Sequence, residues 1–211
     1  MSAALARLHA RPDAALGPAP LPPGTLVHVP ADAPSPTALA VMLHGAGGSA
    51  ASALQLVREA AEAHQVAVLA PQSAGRTWDM IERDFGPDVA TIDSALAHVF
   101  ASFAVDPARI ALAGFSDGAS YALSLGLRNG DLATHLIAFS PGFATGGSAV
   151  GWPKVLITHG TEDRVLPIDR CGRRVAWRLH GADYDVRYEE FDGGHVVPPA
   201  LADAAFAWLA R

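Results

Sequence analysis

Short apolar runs alternate along the chain with longer stretches of helical periodicity. Thr25 to Val29 is the first run, hemmed in by a proline-rich lead (Pro18, Pro20, Pro22, Pro23) and by Pro30, Pro34 and Pro36. Ala38 to Leu43 is apolar throughout, the pattern of a strand covered on both faces. Residues 66–69, 109–113, 134–139, 154–158 and 184–191 are the further expected strands. Helices are expected over 50–63, 88–103, 117–127, 168–179 and 198–209. In the second of these, Val89, Ile92, Leu96, Val99 and Phe103 recur at helical spacing. In the last, Leu201, Ala205 and Trp208 are expected to face inward. Residues 71–87, with Gly75, Trp78, Gly86 and Pro87, read as a long irregular loop.

Strands alternating with helices of this length predict an α/β fold with a mostly parallel central sheet. The 211 residues suffice for one core, and 50% hydrophobic with 17% charged excludes disorder for the bulk of the chain. We expect one domain over 24–211, preceded by an irregular N-terminal extension over 1–23. The stretch from Met1 to Ala15 is alanine-rich with Arg7 and Arg11, and it lacks the apolar core of a secretory signal. A net charge of −6 without a basic patch argues against nucleic acid as a partner. No apolar run approaches the length of a membrane span. The single cysteine, Cys171, excludes an intrachain disulfide and a cysteine-based metal cluster. No metal and no cofactor are expected, and a cytoplasmic location is. A homodimer remains open.

In an open parallel sheet the site lies beyond the carboxyl ends of the strands. Three of those ends carry chemistry. Gly114-Phe115-Ser116-Asp117-Gly118 is a G-x-S-x-G sequence between an apolar run and a helical pattern. A strand–turn–helix elbow needs small residues two before and two after the nucleophile, because the turn leaves no room for side chains there. The plainer reading of Ser116 is a helix N-cap. The second end, Thr158 to Pro167, offers Glu162 and Asp163, either of which could orient a histidine. The third, Gly193-Gly194-His195, puts a histidine on a glycine turn, where it can serve as base and then acid. Serine, acid and histidine in that chain order match the nucleophile–acid–base arrangement of one large α/β group. A fourth segment, His44-Gly45-Ala46-Gly47-Gly48, follows the 38–43 strand. It stands where a backbone N–H should complete an oxyanion hole with that of Asp117. As a phosphate-binding loop it fails on spacing.

At these residues the sequence resembles the α/β-hydrolases, and within them the phospholipase/carboxylesterase group that includes acyl-protein thioesterases. The matching segments are Leu43 to Gly47, Asp106 to Ile110, Gly114 to Gly118, His159 to Pro167 and Gly194-His195, in order. The resemblance covers residues from about 24 to the C-terminus. It implies an α/β-hydrolase fold with helices on both faces of the sheet and no substantial lid domain. It implies Ser116 as nucleophile, Asp163 rather than Glu162 as acid, His195 as base, and Ala46 and Asp117 as backbone oxyanion donors. Asp117 departs from the thioesterase branch, which often has glutamine there. Ala119 replaces a frequent second glycine.

The expected reaction is cleavage of a carboxylic ester or thioester through an acyl-enzyme, on small or short-chain acyl substrates. The segment from Pro141 to Pro153 is too short for a helical lid, so the site is expected to be open. Trp78, Met80, Phe143 and Trp152 are candidates to line it, with packing in the core as the competing role for each. His44 and His159 flank the site and are read as holding loops by hydrogen bonds. Two alternatives stand: lactone opening in the manner of dienelactone hydrolase, and a non-catalytic binding protein on the same fold.

Overall fold

The computed structural model describes residues 6–13, 19–145 and 147–211. Seven strands form one sheet: β1 (Leu26–His28), β2 (Thr37–Leu43), β3 (Ala67–Ala70), β4 (Val105–Phe115), β5 (His135–Phe139), β6 (Lys154–Gly160) and β7 (Val186–Phe191). Their order is β1-β3-β2-β4-β5-β6-β7. All neighbours are parallel except β1, which runs antiparallel to β3. The helices are α1 (Ala50–His64), α2 (Asp79–Glu82), α3 (Pro87–Ser102), α4 (Asp117–Gly126), α5 (Gly172–His180) and α6 (Pro199–Leu209).

The strand β2 shows why both faces need covering. Its odd positions Leu39, Val41 and Leu43 pack into a core shared with α3, α4 and α5. Its even positions Ala38, Ala40 and Met42 pack into a second core with α1 and α6. Every residue of β2 is buried, so its uninterrupted apolar run follows from two-sided packing. After β2 the chain winds outward to β3, then returns to β4 on the other side of β2. That reversal places the β2 and β4 carboxyl ends side by side at the topological switch point, where a crevice forms.

Three local expectations change. The 71–87 loop contains the short helix α2, framed by reciprocal bonds: Asp79 N–H donates to Asp88 Oδ2 (2.7 Å) and Asp88 N–H to Asp79 Oδ2 (2.8 Å). Helix α5 begins at Gly172 rather than at 168, because residues 168–171 form a tight turn closed onto the Pro167 carbonyl. In α6 the buried face is Ala202, Ala205, Phe206 and Leu209. Leu201 and Trp208 lie at its edge, and Trp208 packs edge-on against His135 with ring centres 4.7 Å apart.

Residues 7–13 form neither helix nor strand, yet Leu8 and Ala10 join the core against α3 and α4. Leu8 N–H donates to the Asn129 side chain (2.8 Å), and Arg7 and Arg11 pair with Asp131. Residues 1–5 and 14–18 of the expected extension, Pro18 among them, lie outside the described residues. Among the described residues no helix is long and apolar enough to cross a membrane.

Candidate active site

Ser116 stands between the end of β4 and the start of α4 with φ 58° and ψ −120°, a conformation that side-chain-bearing residues rarely adopt. Its N–H donates to the Phe139 carbonyl (2.9 Å), which ties the elbow to β5. The flanking glycines are a steric necessity. A Cβ on Gly114 would lie 2.7 Å from the Ala119 nitrogen, and one on Gly118 would lie 2.6 Å from the His44 carbonyl oxygen. Both obstacles are backbone and cannot rotate away.

Ser116 Oγ lies 2.8 Å from His195 Nε2, and His195 Nδ1 lies 2.6 Å from Asp163 Oδ2. A carboxylate only accepts, so Nδ1 carries the proton and Nε2 accepts from the Ser116 hydroxyl. The Phe115 ring packs against the His195 imidazole with centres 4.7 Å apart. Asp163 is buried, which by itself would raise its pKa. Bonds from the Leu166 N–H, from His195 and from the Val165 N–H outweigh that and hold it below the usual carboxylate value. Glu162, the other acid on this loop, is exposed.

The 44–48 loop lies directly against Ser116: a Cβ on Gly45 would sit 3.3 Å from Ser116 Cβ. The loop is pinned from beneath. Trp78 Nε1 donates to the His44 carbonyl (2.8 Å), and Gly47 N–H donates to the Arg76 carbonyl (2.7 Å). His44 is fully buried, and desolvation lowers its pKa. It is therefore neutral, with Nδ1 donating to the Gly45 carbonyl (2.8 Å) and Nε2 accepting from Ser73 N–H (3.2 Å). Among the described residues the Ala46 N–H has no backbone acceptor. The Asp117 N–H, first in α4, has no intrahelical acceptor. Both amides are thus free to receive an oxyanion. The Asp117 carboxylate accepts from the Thr77 hydroxyl (2.8 Å), which fixes its direction.

No family model matches the chain. Over 115 residues it is 30% identical to acyl-protein thioesterase 1 of Gibberella zeae, an alignment covering 50% of this chain and 48% of that protein. The chain thus spans about half the length of this curated relative. A crystal structure of esterase PE8 superposes with a TM-score of 0.70 at 25% identity, covering 91% of this chain and 97% of that one. An acetyl xylan esterase from Aspergillus awamori superposes with a TM-score of 0.71 at 15% identity, covering 92% and 96%. The chain has the α/β-hydrolase fold. A phospholipase/carboxylesterase from Dyadobacter fermentans shares the fold as well, with a TM-score of 0.64 at 22% identity over 94% of this chain and all of that one.

Of the four residues expected to line the substrate site, the structure keeps one at a cavity. Trp78 is wholly buried, stacked between His44 and Tyr121, because its indole N–H is used on the loop above. Met80 is also buried in the core beneath the site. Trp152 is 71% exposed and packs on Tyr184, two residues before β6. In a parallel sheet that is the end opposite Ser116. Phe143 lines a groove beside α5. His159, read as holding a loop, supports the acid's loop, and Thr77 is additional. His159 Nε2 donates to the Leu166 carbonyl (2.8 Å) and lies 3.2 Å from Asp163 Oδ2, a second donor to the acid from a fully buried ring. Its place four residues before Asp163 was the available signal. Thr77 gave no signal, since its partner Asp117 is 40 residues away.

Proposed function

We propose that this protein is a serine hydrolase that cleaves carboxylic esters or thioesters through an acyl-enzyme on Ser116. The observation that carries the reading is the unbroken hydrogen-bond chain from Ser116 Oγ through His195 to the buried Asp163, beside two amides that have no backbone acceptor among the described residues. His195 Nε2 takes the hydroxyl proton as Oγ attacks the acyl carbonyl. The Ala46 and Asp117 N–H groups receive the developing oxyanion. The carbon–oxygen or carbon–sulfur bond breaks, and the departing alcohol or thiol takes the proton from His195. Water then attacks the acyl-enzyme, again losing its proton to His195, and the acid leaves with Ser116 restored. Asp163 keeps the imidazole in the required tautomer and stabilises its charged form. Small or short-chain esters suit the site, since Val165 and Val196 at its mouth are 65% and 51% exposed. The likeness to esterase PE8 over nearly the whole chain supports ester chemistry, and the partial likeness to an acyl-protein thioesterase supports thioesters.

Treatment with a fluorophosphonate, followed by intact mass, tests the assignment. One adduct on the wild type and none on Ser116→Ala is expected, with a loss of at least about a thousandfold in p-nitrophenyl butyrate hydrolysis. Equal labelling of both, or an unchanged rate in the folded variant, would overturn it. Folded wild type that takes no adduct would favour a binding protein on this fold.

A further inference from the structure

A groove of about 450 Å³ runs between α5 and the segment after β5. It begins beside the triad. Gly142 N–H, at its upper end, donates to Ser120 Oγ (2.9 Å), one helical turn from Ser116. Thr145 N–H donates to Ser124 Oγ (2.9 Å), so two serines of α4 fix the groove's wall. On the opposite wall, Arg170 N–H donates to the Pro167 carbonyl, at the end of the loop that carries Asp163. The floor is apolar: Leu127, Phe143, Val175, Leu179 and Tyr184.

The charges on its rim are of one sign. Arg174 and Arg178, one helical turn apart on α5, and Arg170 in the turn before it stand along one side. Arg128 also lines the groove, but it is held by the Ser124 carbonyl, lies over the Phe85 ring and sits in the field of Asp84, so it is not counted with the other three. Among the described residues no aspartate or glutamate lines the groove, in a chain whose acids outnumber its Lys and Arg by 21 to 15. The same helix shows what an arginine does when an acid is within reach: Arg173, outside the groove, pairs with both Asp169 and Glu190. Among the described residues Arg170, Arg174 and Arg178 form no ion pair.

We infer that this groove binds an anionic arm of the substrate. The apolar body of the arm lies on the floor, and its terminal carboxylate or phosphate pairs with Arg170, Arg174 and Arg178. Guanidinium forks match both anions, and an apolar channel with a few charged groups at its edge fixes the orientation of such an arm. The trough is concave and walled on both sides, which suits an extended chain and not a flat lipid surface. The inference rests on Ser116 being the nucleophile of an ester hydrolase.

Three esters test it: p-nitrophenyl hexanoate, the mono-p-nitrophenyl ester of adipic acid, and 6-acetoxyhexanoate, followed by pH-stat. The first is neutral; the other two carry the carboxylate on the acyl side and on the leaving-group side. In the Arg170→Gln/Arg174→Gln/Arg178→Gln variant, KM should rise at least fivefold for one anionic ester, with kcat nearly unchanged. The neutral ester should stay within twofold, and 0.5 M salt should shrink the difference. Arg58→Gln, an exposed charge on α1, should change none of them. Equal effects on anionic and neutral esters, or no effect on any, would overturn the inference. So would loss of binding to phosphatidylserine vesicles with all esters handled alike, which would assign the arginines to a membrane surface. Calorimetry on Ser116→Ala separates this inference from the catalytic reading. There, monoethyl adipate should bind more tightly than ethyl hexanoate, and the preference should vanish when the three arginines are replaced, whether or not Ser116 is the nucleophile.

Discussion

Adding one methyl group at Gly118 should damage the site from behind. In Gly118→Ala the new Cβ would lie 2.6 Å from the His44 carbonyl oxygen and closer still to that of Leu43. Ordinary contact begins at 3.4 Å, so β2 and α4 must separate by about 0.8 Å or more at this point. Neither obstacle is a side chain that could rotate aside. Overpacking of this kind costs about 1–3 kcal/mol. For a chain of this size that lowers Tm by roughly 2–4 °C per kcal/mol. The catalytic cost should be larger. The displaced backbone carries the 44–48 loop on one side and the Asp117 amide on the other, so the two oxyanion donors move apart. A misplacement near 1 Å can cost about a hundredfold. We expect kcat for p-nitrophenyl butyrate to fall by about that factor, with the fluorophosphonate adduct still forming, more slowly. Gly75→Ala is the control, since its Cβ meets only the Thr77 carbonyl at 3.4 Å. Gly118→Ala with unchanged kcat and Tm would refute the claim that this contact sets the oxyanion geometry.

Trp78→Phe removes the donor to the buried His44 carbonyl and should cost about 1–3 kcal/mol, with a fall of about tenfold in kcat and little change in KM. Lost stability at unchanged kcat would show that this bond supports the fold alone. A pH titration of stability addresses the buried histidines. Desolvation lowers the pKa of His44, of His159 and of His135, the last to about 4, against about 6.5 in the unfolded chain. The unfolded state therefore binds more protons below about pH 6.5, and stability should fall as pH drops from there toward 4. Asp163 adds to that limb only at its acid end, because its lowered pKa leaves it ionised while the unfolded chain begins to take up a proton near pH 4. Asp88, raised by burial, acts in the opposite sense near the acid end. Urea unfolding from pH 8 to 5 should show the slope, and His135→Asn should make it shallower; an unchanged slope would refute the assignment.

Local pattern determined much of this protein by itself. The β2 run is apolar because both its faces are covered, so its covered-strand character was legible without coordinates. Gly114 and Gly118 were legible for the same kind of reason: the elbow's steric demand falls on fixed positions around one serine. The placing of Ser116, Asp163 and His195 after strands was written in chain order, and a parallel sheet brings strand ends together. Tertiary structure decided what depends on contacts between distant segments. Trp78 and Phe143 are both aromatics in loops, and nothing near either one tells them apart. Trp78 is buried because a carbonyl 34 residues earlier accepts its N–H. Phe143 reaches a groove because serines of α4 fix the backbone around it. The arginine row was written at fourth-residue spacing, but whether acids from other elements neutralise it is a property of packing. Only the folded chain shows that Arg173 finds such partners and its three neighbours on the groove do not.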